Sequence, residues 1–248
     1  PSARSTGRAE IAMPTVIKTI QATGGDYTTV AAWEADLTNA TYPDASTVAI
    51  GEMADENFNI STGITIDAAP SNVIEIVLRP QTGAAHNGTA GTGARLPATA
   101  AIPAISVTTA LKFAIRFIEI NMNGQNGNGI EFSHAADTTH CCENCIIHDI
   151  NATSSIYGRG LFVASGRDNR FLNNVIYDIN TSSATGNAGG IFESTGAIRP
   201  REYMNNTIYK IANNGTTGTS SGILWIDDAD LKVQNNIALN VGGSTAGA

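Results

Sequence analysis

Two short strings recur along this chain on one beat, and that periodicity limits the fold more than any other feature. Asn144-Cys-Ile-Ile-His-Asp-Ile150, Asn173-Asn-Val-Ile-Tyr-Asp-Ile179, Asn205-Asn-Thr-Ile-Tyr-Lys-Ile211 and Asn235-Asn-Ile-Ala-Leu-Asn-Val241 begin 29, 32 and 30 residues apart. Gly129-Ile-Glu-Phe, Gly160-Leu-Phe-Val, Gly190-Ile-Phe-Glu and Gly222-Ile-Leu-Trp keep the same time, their glycines 31, 30 and 32 residues apart. A period of this length in two independent markers means stacked units, each burying a face against the next. The markers have strand composition and are too short for helices, and the stretches 181–189 and 213–221 between them are rich in turn formers. Neither the leucine spacing of a leucine-rich repeat nor the four strands per period of a propeller is present. The expectation is an all-β solenoid, a right-handed parallel β-helix whose clearest coils span 129–241.

Strand alternation assigns faces. Ile147, Ile176, Ile208 and Ala238 are apolar in every repeat and belong inside. Two residues earlier, with the same parity, stand Cys145, Asn174, Asn206 and Asn236. An inward asparagine column is tolerable only as a ladder, with side-chain amides bonded from coil to coil, because an unpaired buried amide is costly. His148, Tyr177, Tyr209 and Leu239 have the opposite parity and should face out, with Asp149, Asp178, Lys210 and Asn240 at the following turn.

Upstream the beat blurs, but the segments 48–50, 64–66, 74–78, 105–107 and 113–120 still alternate or run apolar as strands do, and 81–94 reads as a surface loop. Residues 28–37 differ: Val30, Trp33 and Leu37 share one helical face, and Asp26 or Thr28 can cap its start, which suggests a helix closing the N-terminal end of the solenoid. Residues 1–14 form a polar arm, with Met13 as an alternative start, and 15–248 a single domain.

The net charge of −8, from 14 basic and 22 acidic side chains, argues against nucleic acid and anionic membranes as partners. No apolar run is long enough to span a bilayer. The three cysteines cluster at Cys141, Cys142 and Cys145, a poor disulfide framework.

The string Thr23-Gly-Gly-Asp-Tyr-Thr-Thr-Val-Ala-Ala-Trp33 resembles the opening of many domains of the pectin-lyase-like β-helix superfamily, where a Gly-Asp-Tyr turn leads into a capping helix. The resemblance covers residues 15–241 and implies the parallel β-helix fold. Domains of this kind serve as phage head-decoration, fibre and tailspike proteins, as bacterial surface proteins, and as polysaccharide-degrading enzymes. The enzyme signatures are incomplete here. The Gly-His-Gly and Arg-Ile-Lys motifs of polygalacturonases are missing, Asp228 stands where a Trp-Ile-Asp-His stretch of pectate lyases has histidine, and Arg199-Pro-Arg201 is misspaced for their Arg-x-Pro-x-x-Arg.

Several residues carry candidate chemistry. Asp227, Asp228 and Asp230 could pair as acid and base in glycoside hydrolysis or hold Ca²⁺; their plainer reading is a turn, since Asp137, Asp168 and Asp230 each fall eight residues after a coil glycine. Arg159, Arg167, Arg170, Arg199, Arg201 and Lys210 come from neighbouring coils and could supply the cation of a lyase, or be scattered solvated charges. His140, Cys142, Cys145 and His148 have zinc-ligand chemistry, but Cys145 and His148 should point to opposite faces, so no metal site is expected. His148, Tyr177, Tyr209 and Trp225 could stack on sugar rings; coil-to-coil stacking is the plainer account of the column.

The last repeat ends seven residues before Ala248 with no amphipathic segment after it, so another subunit, a partner or further chain is expected to cover that coil. Together these features predict a non-catalytic structural or adhesive β-helix of a virion or cell surface, assembled with itself (as a trimer, for example) or with other surface proteins, and contacting glycan. The alternative is a polysaccharide lyase or glycoside hydrolase working along the stacked coils. No cofactor is expected beyond the Ca²⁺ already considered.

Overall fold

The computed structural model describes residues 13–134, 138–153, 157–165, 168–194, 201–215, 218–224 and 231–242. After β1 (Thr15–Ile20) and helix α1 (Val30–Ala35), strands follow one another around a solenoid. They are β2 (Thr47–Met53) and β3 (Ile64–Ile66), then β4 (Val73–Pro80), β5 (Arg95–Pro97) and β6 (Ile105–Val107). The coils continue as β7 (Lys112–Arg116), β8 (Glu119–Gln125) and β9 (Asn128–Phe132), then β10 (His140–Glu143), β11 (Ile146–Ala152) and β12 (Gly158–Val163). The last are β13 (Arg170–Leu172), β14 (Val175–Thr181) and β15 (Ala188–Glu193), then β16 (Arg201–Met204), β17 (Thr207–Asn213) and β18 (Ser220–Leu224), then β19 (Leu231–Gln234) and β20 (Ile237–Gly242).

From β3 onward each strand pairs in parallel with the strand three further along the chain, while β1, β2 and β4 pair in succession, also in parallel. The first sheet has eight strands in the order β1-β2-β4-β7-β10-β13-β16-β19. The second and third have six each, β20-β17-β14-β11-β8-β5 and β18-β15-β12-β9-β6-β3. The chain is therefore a three-sheet parallel β-solenoid.

Both sequence markers have a local cause. Asn144, Asn173, Asn205 and Asn235 open the corner into the second sheet with φ of 55°, 58°, 57° and 53°. Asparagine tolerates this left-handed region better than most residues. The next residue turns inward. The Asn174 amide donates to Asn206 Oδ1 at 2.9 Å, and the Asn206 amide donates to Asn236 Oδ1 at 2.9 Å. The same oxygens accept the backbone N–H groups of Asn174 and Asn206 at 3.0 and 2.9 Å. At the head of the column Cys145 donates its backbone N–H to Asn174 Oδ1 at 3.0 Å.

The glycine marker meets the isoleucine column. Register aligns Leu96, Ile120, Ile147, Ile176, Ile208 and Ala238. A Cβ on Gly129, Gly160 or Gly190 would lie 2.5, 2.4 and 2.5 Å from the Cγ2 of Ile147, Ile176 and Ile208, so the two markers are halves of one contact. Asp149, Asp178, Lys210 and Asn240 also have positive φ, but they lie within β11, β14, β17 and β20 as irregular positions rather than at a turn after them.

The helix is shorter than expected. Only Val30–Ala35 is helical; Thr29, not Asp26 or Thr28, caps it by accepting the Ala32 N–H at 3.0 Å. Asp26 is held instead by the Thr19 N–H at 2.8 Å, and the Asp36 N–H closes back on the Trp33 carbonyl, which ends the helix after six residues. A ten-residue capping helix over 28–37 is thus replaced by a single short one. Trp33 is buried and bonds the Tyr42 hydroxyl at 3.2 Å.

The interior is not uniformly apolar. His140, Asn169 and Arg201 occupy one inward row of the first sheet, aligned with Phe113. Arg201 pairs with Glu193, and both side chains are fully buried; Tyr203 donates to Glu193 at 3.3 Å. His140 stacks on Phe132 with centroids 5.7 Å apart, and neither of its ring nitrogens has a hydrogen bond among the described residues. Burial, helped by the charge of His134, pulls its pKa down to about 4 from 6.5.

Two outcomes follow. Asn206→Ala leaves the Asn174 amide with only the Cys142 carbonyl and removes four bonds, and should cost roughly 2–4 kcal/mol in denaturant unfolding while leaving the circular dichroism of the fold intact. His140 is neutral when folded and binds a proton more readily when unfolded. Stability should therefore fall as pH drops from 6.5 to about 4, by about 3 kcal/mol from this residue. His140→Phe should flatten that part of the profile.

Candidate functional site

The outer face of the second sheet carries a polar groove. Bridges Asn57 to Arg95 and Ile60 to Ala98 extend this sheet by one coil beyond β5. Alternation places Phe58, Ile60, Leu96, Ala98, Ile118 and Ile120 in the core and turns their neighbours outward. The result is a cavity of about 530 Å³ lined by Asn57, Asn59, Gly91, Arg95, Pro97, Glu119, Asn121 and Asn123.

Its charged groups are locked. Arg95 Nε donates to Asn57 Oδ1 at 2.6 Å, and its guanidinium also bonds the Gly91 carbonyl. Glu119 Oε2 accepts the Gly91 N–H at 2.5 Å, while Oε1 lies 3.0 Å from His148 Nε2. The loop after β4 thus binds both walls of the groove at one glycine. His148 Nδ1 lies 3.1 Å from Asp149, so the imidazole sits between two carboxylates. Burial opposes the charge on each member of the buried pair. The bond from His148 and the Gly91 amide nevertheless hold Glu119 below its usual range, and Glu119 and Asp149 raise His148.

The groove continues into an aromatic column. Register aligns Pro97, Asn121, His148, Tyr177, Tyr209 and Leu239. His148 and Tyr177 stack at 4.8 Å with planes 1° apart, and Tyr177 and Tyr209 at 4.8 Å and 3°. Tyr177 therefore has a ring against each face, and the column's ring faces serve coil-to-coil packing.

The other sequence candidates are scattered. Asp227, Asp228, Asp230 and Trp225 lie outside the described residues, as do Asp137, Arg167 and Arg199. Arg170 pairs with Glu202 at 2.9 Å on the outer face of the first sheet, Lys210 with Asp178 at 3.3 Å, and Arg201 lies in the core. These cations do not converge. His140, Cys142 and Cys145 lie in the interior, and His148 faces outward from the opposite side of its strand. Cys145 Sγ approaches the Ile115 carbonyl at 3.8 Å.

Sequence reasoning missed Asn57, Asn59, Arg95, Glu119 and Asn121. They fall in upstream coils where the Asn-Asn marker is absent, Phe117 occupying the left-handed corner at φ 56° before β8. The one available signal was the polar residues alternating with apolar ones over 57–60 and 119–123.

Neither a protein-family model nor a curated protein matches the chain. Among solved structures it is similar to ORF18 of Geobacillus virus E2, at 12% identity and a TM-score of 0.37 over 75% of this chain, and spans 43% of that protein. It is also similar to the pectin methylesterase of Aspergillus niger in deglycosylated form, at 13% identity and a TM-score of 0.38, covering 95% of this chain and 89% of the enzyme.

The His148–Glu119 pair generates a pH signature. The histidine contribution is complete below 6.5 and is lost as pH rises through the raised folded pKa. The glutamate contribution is present above 4.5 and is lost as pH falls through its lowered folded pKa. Glu119→Gln should remove the acid limb, shrink the alkaline limb to what Asp149 sustains, and bring the His148 pKa, read by NMR, down below its wild-type value.

Proposed function

We propose that this chain is a non-catalytic structural or adhesive β-helix of a virion or cell surface, and that its second-sheet groove contacts glycan. In this reading the partners are neighbouring surface proteins or further copies of the chain. The observation that carries it is the lining of the groove. Four asparagines and an arginine offer donors and acceptors matched to sugar hydroxyls. Glu119 is the one carboxylate among the described lining residues, and it is already the counter-ion of His148. Glycoside hydrolysis needs a second carboxyl and a proton to deliver. A buried, ionised and paired Glu119 supplies neither, which supports retention over cleavage.

The test is a glycan array with the purified chain, followed by incubation of each bound polysaccharide. The reading expects retention without new reducing ends or ultraviolet-absorbing unsaturated products. It also expects the Asn59→Ala/Asn121→Ala double variant to bind about tenfold or more weakly with the circular dichroism of the fold unchanged, the lost Asn123 N–H bond to Asn121 lying at the exposed surface. Release of either product by wild-type protein, abolished by Glu119→Gln, would replace it with an enzyme.

A further inference from the structure

A second polar feature lies on a different face, the outer surface of the third sheet. Arg159 of β12 is 4% exposed. Its guanidinium carbon lies 4.0, 3.9 and 4.0 Å from the ring centroids of Tyr157, Phe162 and Phe192. Rings at this distance attract a cation and fix the plane of the guanidinium. They do not accept its N–H groups. Nε is buried without an acceptor, and no hydrogen bond or ion pair joins Arg159 to any described residue.

This is an unusual state for arginine. Arg170 and Arg116, on the first sheet, each have a carboxylate at 2.9 Å, and Arg201 has Glu193. Among the described residues the acid that acts on Arg159 is Glu131 of the preceding coil, aligned with Phe162. That carboxylate accepts the Asn128 amide at 3.0 Å and acts on Arg159 through space only. Burial lowers the Arg159 pKa to about 10, so it still carries its charge at neutral pH.

Register sets Asn128 on one side of Arg159 and Gly189 on the other. A Cβ at Gly189 would make ordinary van der Waals contact with Phe192 at 3.4 Å, so the glycine keeps a methyl-sized gap beside the guanidinium. Tyr157, the outer wall, is 40% exposed. A charged fork, oriented by three rings and bordered by a glycine and a half-exposed tyrosine, lacks a planar two-oxygen acceptor among the described residues.

We propose that Arg159, with Tyr157 and Phe192, is a carboxylate-recognition site that takes the acid group of an acidic sugar, such as a uronic or sialic acid. Two parallel N–H···O bonds from the guanidinium edge meet the carboxylate, and the ring edges of Tyr157 and Phe192 pack on the sugar's C–H groups. The sugar as carrier rests on the glycan reading above, whereas the site itself lies on another sheet from the groove.

The test is an NMR titration of the full-length ¹⁵N-labelled chain, following arginine Nε–H resonances. The probes are methyl glucuronide, N-acetylneuraminic acid, methyl glucoside and a hexaglutamate peptide. The expected result is a saturable shift of the Arg159 signal with the two acidic sugars and none with the glucoside. Arg159→Met should abolish the response, and Arg159→Lys should weaken it about tenfold by losing the two-pronged geometry. Tyr157→Ala leaves Arg159 in place and should weaken acidic-sugar binding, which keeps the proposal testable should the arginine variants fail to fold. The Asn59→Ala/Asn121→Ala variant should bind glucuronide as wild type does, separating this site from the groove. Equal response to glucoside and glucuronide, no response to either acid, or a response confined to the peptide would each overturn it.

Discussion

The bonded asparagine column from Cys145 to Asn236 is the interaction on which the regular coils of the solenoid depend. A solenoid has to turn a corner in every coil and still place each strand in register with the one before. Here a left-handed asparagine makes the corner, and the next asparagine fastens it to the following coil through both its amide and its backbone N–H. Asn174 and Asn206 are fully buried, so this bonding takes place where an unmade hydrogen bond is most costly. Because the side-chain period of a strand is two, a register fixed at this point fixes every column downstream of it. The isoleucines then stack on isoleucines, the glycines fit against them, and the tyrosines meet ring to ring.

The same register divides the surface by function. From His148 onward, the outer face of the second sheet is occupied with its own stacking. Upstream of His148, where Asn121, Pro97 and Asn59 take the place of rings, the face opens into a groove. Glu119 and His148 stand at the boundary and neutralise each other there. On the first sheet the outward charges are paired coil to coil, as with Glu52 and Arg79 at 2.7 Å, Glu75 and Lys112 at 3.2 Å, and Arg116 and Glu143 at 2.9 Å. Against that background of paired charge, Arg159 in its aromatic surround stands apart.

The repeat made the coils legible in sequence because one contact dictates several residues at once. Asn173-Asn174 carries both a corner and a ladder, and Gly160 carries the shape of Ile176. Such coupled demands leave a periodic trace. The groove left none, since Asn57, Arg95 and Glu119 are joined by contacts across two or three coils of irregular length and by a loop glycine. The interior ion pair of Arg201 and Glu193 was equally hidden: in sequence an inward arginine looks like any other arginine. The helix was overread, because Val30, Trp33 and Leu37 are all buried on one side, although the backbone leaves the helix at Asp36.

The most direct measurement of this account is hydrogen exchange of the side-chain amides of Asn174 and Asn206, followed by NMR in native buffer. A ladder that holds the coils in register predicts NH₂ protons protected nearly as strongly as the backbone amides of β14 and β17, exchanging only when the solenoid opens as a whole. Exchange of those side-chain protons at the rate of a solvated amide, beside protected strands, would contradict it and leave the register to some other interaction.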